Sequence, residues 1–539
     1  MARGDKFRFK RLDTIGAADA EEDKVFLEHC FVDIGDVETL RNCDDSRRII
    51  LGRTGSGKSA LLLRLKSIET RTIEVRPESL SLAYISNSTI LQFFSDLGVK
   101  LDIFFRLLWR HVFTVEILKH HFKIDTEDDK KTFLDKLRGL FQDKKHQRAI
   151  EYLRKWGESF WEETEYRIKE VTTKLESDLQ AAVKSDLHIA SFNASAVEKM
   201  SEEQKREVIQ RAQTVVNSVQ IRELSEILDL LNDVLSDKQK RYFVVIDRLD
   251  EDWIEEKLRF RLIRALIETT KDFGKVHQVK IVLALRMDLL DRVFRLTRDA
   301  GFQEEKYESL YLPLEWSKSQ LAEVLERRIN FLIEQRYTKQ RVRYQDILPK
   351  KVGNSLPLDY MLERTMMRPR DVILFFNCCL HKARDRAVIT AQMIREAEGD
   401  YSQNRLRSLA DEWAADYPTI LDFVILLRSR PKHFALRDAT DAQITECCLQ
   451  SEMQGRAPID VLSATAREIV NDQVSVAEFR LTVFHVFYRI GLVGLKLQTF
   501  ETFTYLTSRG RVVAKSEINE DTRAEIHPAF WRVLGTRVD

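Results

Sequence analysis

Nine consecutive residues, Gly52-Arg53-Thr54-Gly55-Ser56-Gly57-Lys58-Ser59-Ala60, follow the apolar run Ile49-Ile50-Leu51 and open a stretch of helical periodicity. This spacing suits a backbone cradle for polyphosphate. The glycines let the chain turn so that successive N–H groups converge on a β-phosphate, and the helix that follows offers its positive N-terminal end to the same anion. Lys58 is then placed to reach the β- and γ-phosphates, and the Ser59 hydroxyl to ligate Mg²⁺. The chemistry implied is binding of a nucleoside triphosphate such as ATP.

A second set of residues could act on that ligand. Asp247 ends the apolar run Tyr242-Phe243-Val244-Val245-Ile246, and with Ser59 it is the expected Mg²⁺ set, direct or through water. Hydrolysis also needs a group that orients or deprotonates water. The residue after Asp247 is Arg248, so Asp250 or Glu251 must serve, or else both are structural. Arg286 closes the run Val279 to Leu285, where it either senses a γ-phosphate or pairs with a nearby acid. Arg370, in Arg368-Pro369-Arg370-Asp371, is either a second phosphate reporter or part of a helix start marked by Pro369. Asp247, Asp250, Glu251, Arg286 and Arg370 are thus the candidate catalytic set, with Arg292 and Arg295 as candidate fingers toward a neighbouring copy.

These residues need a frame. Five runs read as strands: 49–52, 72–77, 242–247, 279–286 and 310–314, the last with a proline that suits an edge. With helices between them they predict an α/β fold, a doubly wound parallel-sheet core over 46–316. A charged, periodic stretch at about 125–236 predicts a long helical insertion. The aromatics at 88–123 read as core rather than a stacking face for bases. Residues 1–45 read as a helical preface packed beside the phosphate loop, and 317–405 as a helical lid capped at Ser317 or Ser319. Residues 406–539 end in a helix and a hairpin, 491–497 with 502–506, an α+β pattern like a winged helix.

Composition narrows the function classes. The 539 residues carry 87 Lys and Arg against 86 Asp and Glu, so the overall charge supports neither a nucleic-acid nor an anionic-membrane partner, and any basic patch is local. Residues 475–539 hold nine bases and seven acids, weak electrostatics for DNA. The six cysteines lack a C-x-x-C spacing, consistent with buried thiols in a reducing cytoplasm. No run reaches the roughly 18 apolar residues that a membrane span needs.

Together these motifs resemble the additional-strand P-loop ATPases of the AAA+ and STAND kind. The resemblance makes Gly52 to Ser59 the Walker A motif, 243–247 Walker B, Arg286 a sensor-1 and Arg370 a sensor-2 position. More narrowly, Gly16-Ala17-Ala18-Asp19-Ala20-Glu21, Leu107 to Phe113, Ile246 to Trp253 and Met367 to Asp371 resemble a bacterial group of P-loop ATPases described only as ATPase-like. The resemblance implies a slow ATPase working as a nucleotide-dependent molecular switch, self-associating or driving an effector protein, and it implies a role in phage defence or stress signalling. The alternative is a DNA-binding ATPase of the initiator or loader kind. A scaffold that uses ATP only as a structural ligand is a third class, against which Asp247, Asp250 and Glu251 argue.

Overall fold

A computed structural model describes residues 8–77, 96–122, 200–218, 239–298, 303–337, 342–506 and 512–538, apart from 255, 456, 458 and 499, and scattered residues between these spans. Most of the insertion expected at 125–236 lies outside the described residues, as do residues 507–511. The chain forms two compact units. One comprises residues 33–53 and 58–312, the other 1–32, 54–57 and 313–539. The preface expected at 1–45 is therefore divided, and the boundary expected after 316 falls after 312. The lid and C-terminal segments expected as two domains lie in one unit.

The first unit is built on a parallel five-stranded sheet. Its strands are β1 (Ile49–Gly52), β2 (Thr72–Glu74), β3 (Tyr242–Ile246), β4 (Val279–Arg286) and β5 (Tyr311–Pro313), in the order β2-β3-β4-β1-β5. Every residue of β1 and β3 is buried, and so is all of β4 up to Arg286, as the unbroken apolar runs require for strands covered on both faces. The parallel register pairs Gly52 with Arg286 and Ile246 with Leu283, so the chain leaves β1, β3 and β4 along the same edge of the sheet. β1 lies between β4 and β5, where the strand order reverses. The strand expected at 72–77 stops at Glu74, and the edge strand keeps Pro313 at its end.

Helix Asp102–Phe122 presses its aromatics into this unit's core. Phe104, Phe105, Trp109 and Phe113 are buried, and Trp109 Nε1 donates to the Leu262 carbonyl at 2.9 Å, so these rings are packing residues. Helix Lys58–Ile68 follows β1 with Leu61, Leu62 and Leu65 buried.

The second unit is mostly helical. Helix Lys318–Arg336 begins at Ser317, whose side chain accepts from Gln320 N while Gln320 returns a bond to Ser317 N, a complete capping box. Helix Pro369–Lys382 packs beside it, helix Ala391–Glu412 packs on Pro369–Lys382, and Phe9 and Ile15 of the preface are buried in the same core. Pro369 opens its helix, as the sequence implied.

Toward the C-terminus, helix Val476–Ile490 leads through left-handed Gly491 into β7 (Val493–Lys496). This strand pairs antiparallel with β8 (Arg523–Ile526), which pairs with β6 (His433–Ala435), giving the order β6-β8-β7. The hairpin expected between 491–497 and 502–506 is present as a single antiparallel bridge, Leu495–Thr504, with backbone bonds of 3.0 and 2.8 Å in the two directions. The longer ladder of β7 is with 523–526, a partner the sequence reading did not name. The Tyr505 ring lies where a Cβ on Gly494 would be, 2.8 Å away, and its hydroxyl donates to Glu525 at 2.8 Å.

Candidate functional site

The first unit gathers charge at the carboxyl edge of its sheet. Gly52 ends β1 and Arg53 follows it, and Lys58, Ser59 and Ala60 begin the following helix. Lys58 Nζ turns back on the loop, donating to the carbonyls of Gly52 at 3.0 Å and Arg53 at 3.1 Å. Burial pushes this ammonium from its ordinary 10.5 down to about 8, against the pull of Asp250 and Asp247 and with a small push from Arg286. Four groups predicted from separate stretches of sequence, Lys58, Asp247, Asp250 and Arg286, therefore share one electrostatic neighbourhood.

Asp247 leaves β3 as the strand ends. Its Oδ1 accepts from Arg248 N at 2.9 Å, and Arg248 takes a left-handed backbone, φ +59°, which costs a non-glycine residue about 1–2 kcal/mol. That turn separates the two candidate acids. Glu251 faces Arg248 at 3.5 Å on the surface, while Asp250 Oδ2 accepts from Arg286 Nη1 at 3.3 Å. Arg286 is further held by Asp288, with Nε to Oδ1 at 3.1 Å and Nη2 to Oδ2 at 2.8 Å. The sequence reading left two roles open for Arg286; the ion pair is present, and the side chain still stands at the sheet edge beside Lys58.

Residues 54–57 belong to the second unit, where two side chains and one backbone N–H meet their carbonyls. Arg368 Nη1 donates to the Thr54 carbonyl, Trp316 Nε1 to the Ser56 carbonyl at 2.8 Å, and Arg370 N to the Gly55 carbonyl at 3.4 Å. Gly55 has φ +78°, and a Cβ there would lie 2.7 Å from both Cβ and Cδ of Arg370. Gly57 has φ +101°. Both positions need glycine, the first for space as well as for backbone. Arg370 Nε also donates to the Ala18 carbonyl at 3.1 Å, which ties the preface to this helix start.

Arg368 is itself anchored. It is 4% exposed, with Nε 3.3 Å from Asp371 and Nη1 3.6 Å from Glu412, and Arg405 completes the cluster at 3.0 Å from Glu412. Met367, just before it, has φ +52°. Asp288, Trp316 and Arg368 were not singled out from sequence. The Arg-x-Asp spacing at the junction of β4 with its helix was a usable signal for Asp288, whereas nothing local marks Trp316.

The hydroxyls of Thr54 and Ser56 are buried, and among the described residues neither has a hydrogen-bond partner. Unsatisfied donors in a glycine loop beside a lysine suit phosphate oxygens. Arg292, proposed as a finger, is only 9% exposed and is engaged by Asp288 and Glu256, so it does not project toward a neighbour. No group of three His, Cys, Asp or Glu among the described residues could hold a metal ion by itself. No helix among them is long and apolar enough to cross a membrane.

Comparison with known proteins adds two findings. Residues 319–410 match a FunZ-associated C-terminal helical domain, the span of the two long helices Lys318–Arg336 and Ala391–Glu412 and what lies between. The chain is also similar to a transposon gamma-delta 80.3 kDa protein of Escherichia coli (strain K12), at 22% identity over 530 residues. That alignment covers 96% of this chain and 66% of the relative, so the relative extends well beyond the match.

Proposed function

We propose that this chain is an ATP-binding and ATP-hydrolysing P-loop NTPase that acts as a nucleotide-dependent molecular switch. The observation that carries the reading is the placing of Lys58 in the field of Asp247 and Asp250 at the carboxyl edge of a parallel sheet, directly after a glycine loop. The strand order supports it, since β4 is inserted between the loop strand and the strand of Asp247, as expected of an additional-strand core. Bound phosphates would take over the donors of the loop and of Lys58, and Ser59 with Asp247 would hold Mg²⁺, which supplies charge neutralisation at the phosphate oxygens. Because Trp316, Arg368 and Arg370 bond to carbonyls of residues 54–57, a loop that reshapes around phosphate alters contacts inside the helical unit. That relation favours a switch over a simple hydrolase. Its output, by this reading, is self-association or engagement of an effector protein.

A second reading, association with DNA, is favoured by the transposon origin of the relative and by the order β6-β8-β7 behind helix Val476–Ile490, a winged-helix-like arrangement. Surface chemistry favours it less. Phe479, Val483, Phe484, Phe487 and Tyr488 of that helix are buried, and Glu478 on its exposed side is paired with Lys515. A helix so occupied offers little to a groove or to phosphates. The deciding experiment is calorimetric titration of ATP into the wild-type chain and Lys58→Ala, followed by hydrolysis rates with and without duplex DNA. Binding that needs Lys58 and turnover indifferent to DNA support the switch. Equal affinity of both chains ends the nucleotide reading, and strong stimulation by DNA transfers the case to the second.

A further inference from the structure

The acid that serves the attacking water can be assigned, given the nucleotide reading above on which the assignment rests. Asp250 and Glu251 are adjacent in sequence but differ in what holds them. Both acids are exposed, and Glu251 is paired with Arg248, itself exposed. Asp250 contributes the largest charge acting on Lys58 and is bonded to Arg286 through one nitrogen, Nη1, at 3.3 Å. The other two bonding nitrogens of Arg286, Nε and Nη2, are committed to Asp288, whose side chain is 7% exposed. The guanidinium thus has a firm bidentate face and a weaker single contact.

We propose that Asp250 is the water-orienting carboxylate, that Arg286 Nη1 holds it until a γ-phosphate oxygen takes its place, and that Asp288 is the positioning residue that keeps Arg286 fixed through the exchange. A phosphate dianion outcompetes one carboxylate for a single donor, because it brings more charge and Lys58 draws it to the same edge. Asp250, released, then faces the phosphate. The water oxygen bonds to the γ-phosphorus as the bond from that phosphorus to the β,γ-bridging oxygen breaks, its electron pair leaving with the diphosphate. Asp250 accepts the proton of the water and returns it to solvent, and ADP and inorganic phosphate result. In the nucleotide-free protein the same acid is withheld, so its release is coupled through the Arg286 contact to the arrival of a γ-phosphate.

The test measures binding and chemistry separately. Affinities for a non-hydrolysable ATP analogue and for ADP, and kcat for ATP with Mg²⁺, are determined for the wild-type chain, Asp250→Asn, Glu251→Gln, Asp288→Asn, Arg286→Lys and the double variant Asp288→Asn/Arg286→Lys, with melting curves to verify folding. Asp250→Asn is expected to lower kcat about a hundredfold while keeping analogue affinity within threefold, and to lower kcat at least thirtyfold more than Glu251→Gln does. Asp288→Asn and Arg286→Lys each shrink the preference for triphosphate over diphosphate about tenfold, and the double variant shrinks it no further. A residue with a merely structural role would weaken both ligands equally. The proposal is overturned if Glu251→Gln is the more damaging change, if Asp288→Asn weakens both ligands alike, or if the wild-type chain binds ATP and releases no phosphate. A wild-type chain that binds neither ligand overturns the nucleotide reading itself. Should Asp288→Asn not fold, Arg286→Lys carries the same comparison.

Discussion

Lys58 Nζ bonds to the carbonyl of Gly52, six residues earlier in the same loop, at 3.0 Å. The cation expected to meet phosphate is thus held by the loop's own backbone, at a cost in charge. Burial has brought its proton within reach of neutral pH, near 8.

On the nucleotide reading proposed above, that held cation makes affinity for nucleotide dependent on pH. The free protein begins to lose the Lys58 proton near pH 8, whereas phosphates favour the charged form and raise its pKa in the complex. Binding therefore takes up a proton above pH 8, and affinity falls by as much as about tenfold per pH unit as pH climbs further. Titrations in buffers of differing ionisation enthalpy at about pH 8.5 read that uptake directly. Zero uptake would remove Lys58 from the phosphate site.

Lys280 tests the same physics away from the site. It is fully buried in β4, its Nζ donates to the carbonyls of Thr39 at 2.8 Å and Asn42 at 2.6 Å, and burial pushes its pKa down to about 8. The folded pKa lies below the unfolded value of 10.5, so the unfolded chain binds more protons between these limits and stability rises with pH across that window. Lys280→Met removes this contribution to the slope, leaving that of Lys58. Urea denaturation at pH 7.5 and 9.5 checks it, and an unaltered slope in the variant counts against a buried ammonium.

Gly55→Ala combines two penalties. The left-handed backbone costs about 1–2 kcal/mol and the new Cβ meets the Arg370 Cβ as well as its Cδ, so relief requires movement of the helix start. Gly35→Ala, at φ +95° with nothing within 4 Å of the added carbon, isolates the backbone cost. The difference between the two in denaturation midpoint measures the contact with Arg370. Equal losses would mean that Arg370 does not press on the loop.

Arg405→Met removes one of two cations from the buried cluster with Arg368, Asp371 and Glu412. Asp371 and Glu412 are then undercompensated inside the helical unit, and a loss of about 3–5 kcal/mol is expected. The measurement is equilibrium urea unfolding monitored by circular dichroism. A change below 1 kcal/mol would show that water or Arg368 already satisfies the pair.

Much of the sheet was legible because its strands are buried on both faces. Apolar runs at 49–52 and 242–246, and the run 279–286 broken only by Lys280, leave little alternative to covered parallel strands, and Asp247 and Arg286 stand out as the charged residues where their strands end. The capping box at Ser317 and the helix start at Pro369 were equally local. The partner of β7 was not. Residues 502–506 meet β7 at the bridge Leu495–Thr504, but its longer ladder runs along 523–526, some thirty residues away in sequence. Division of the preface between two units was hidden for the same reason, since Phe9 and Ile15 find their burial against helices some 300 residues away in sequence.

By itself the sequence determined the chemistry at hand, because glycine spacing, a lysine and strand-end carboxylates are local patterns with local physical reasons. Tertiary structure decided which of those groups meet. Arg286 sits between Asp288 and Asp250, and Glu251 turns instead to Arg248, because register aligns the ends of separate strands and a left-handed residue redirects the chain after Asp247. The Arg286–Asp250 pairing depends on backbone paths brought together across 36 residues, and no pattern in a short window encodes it.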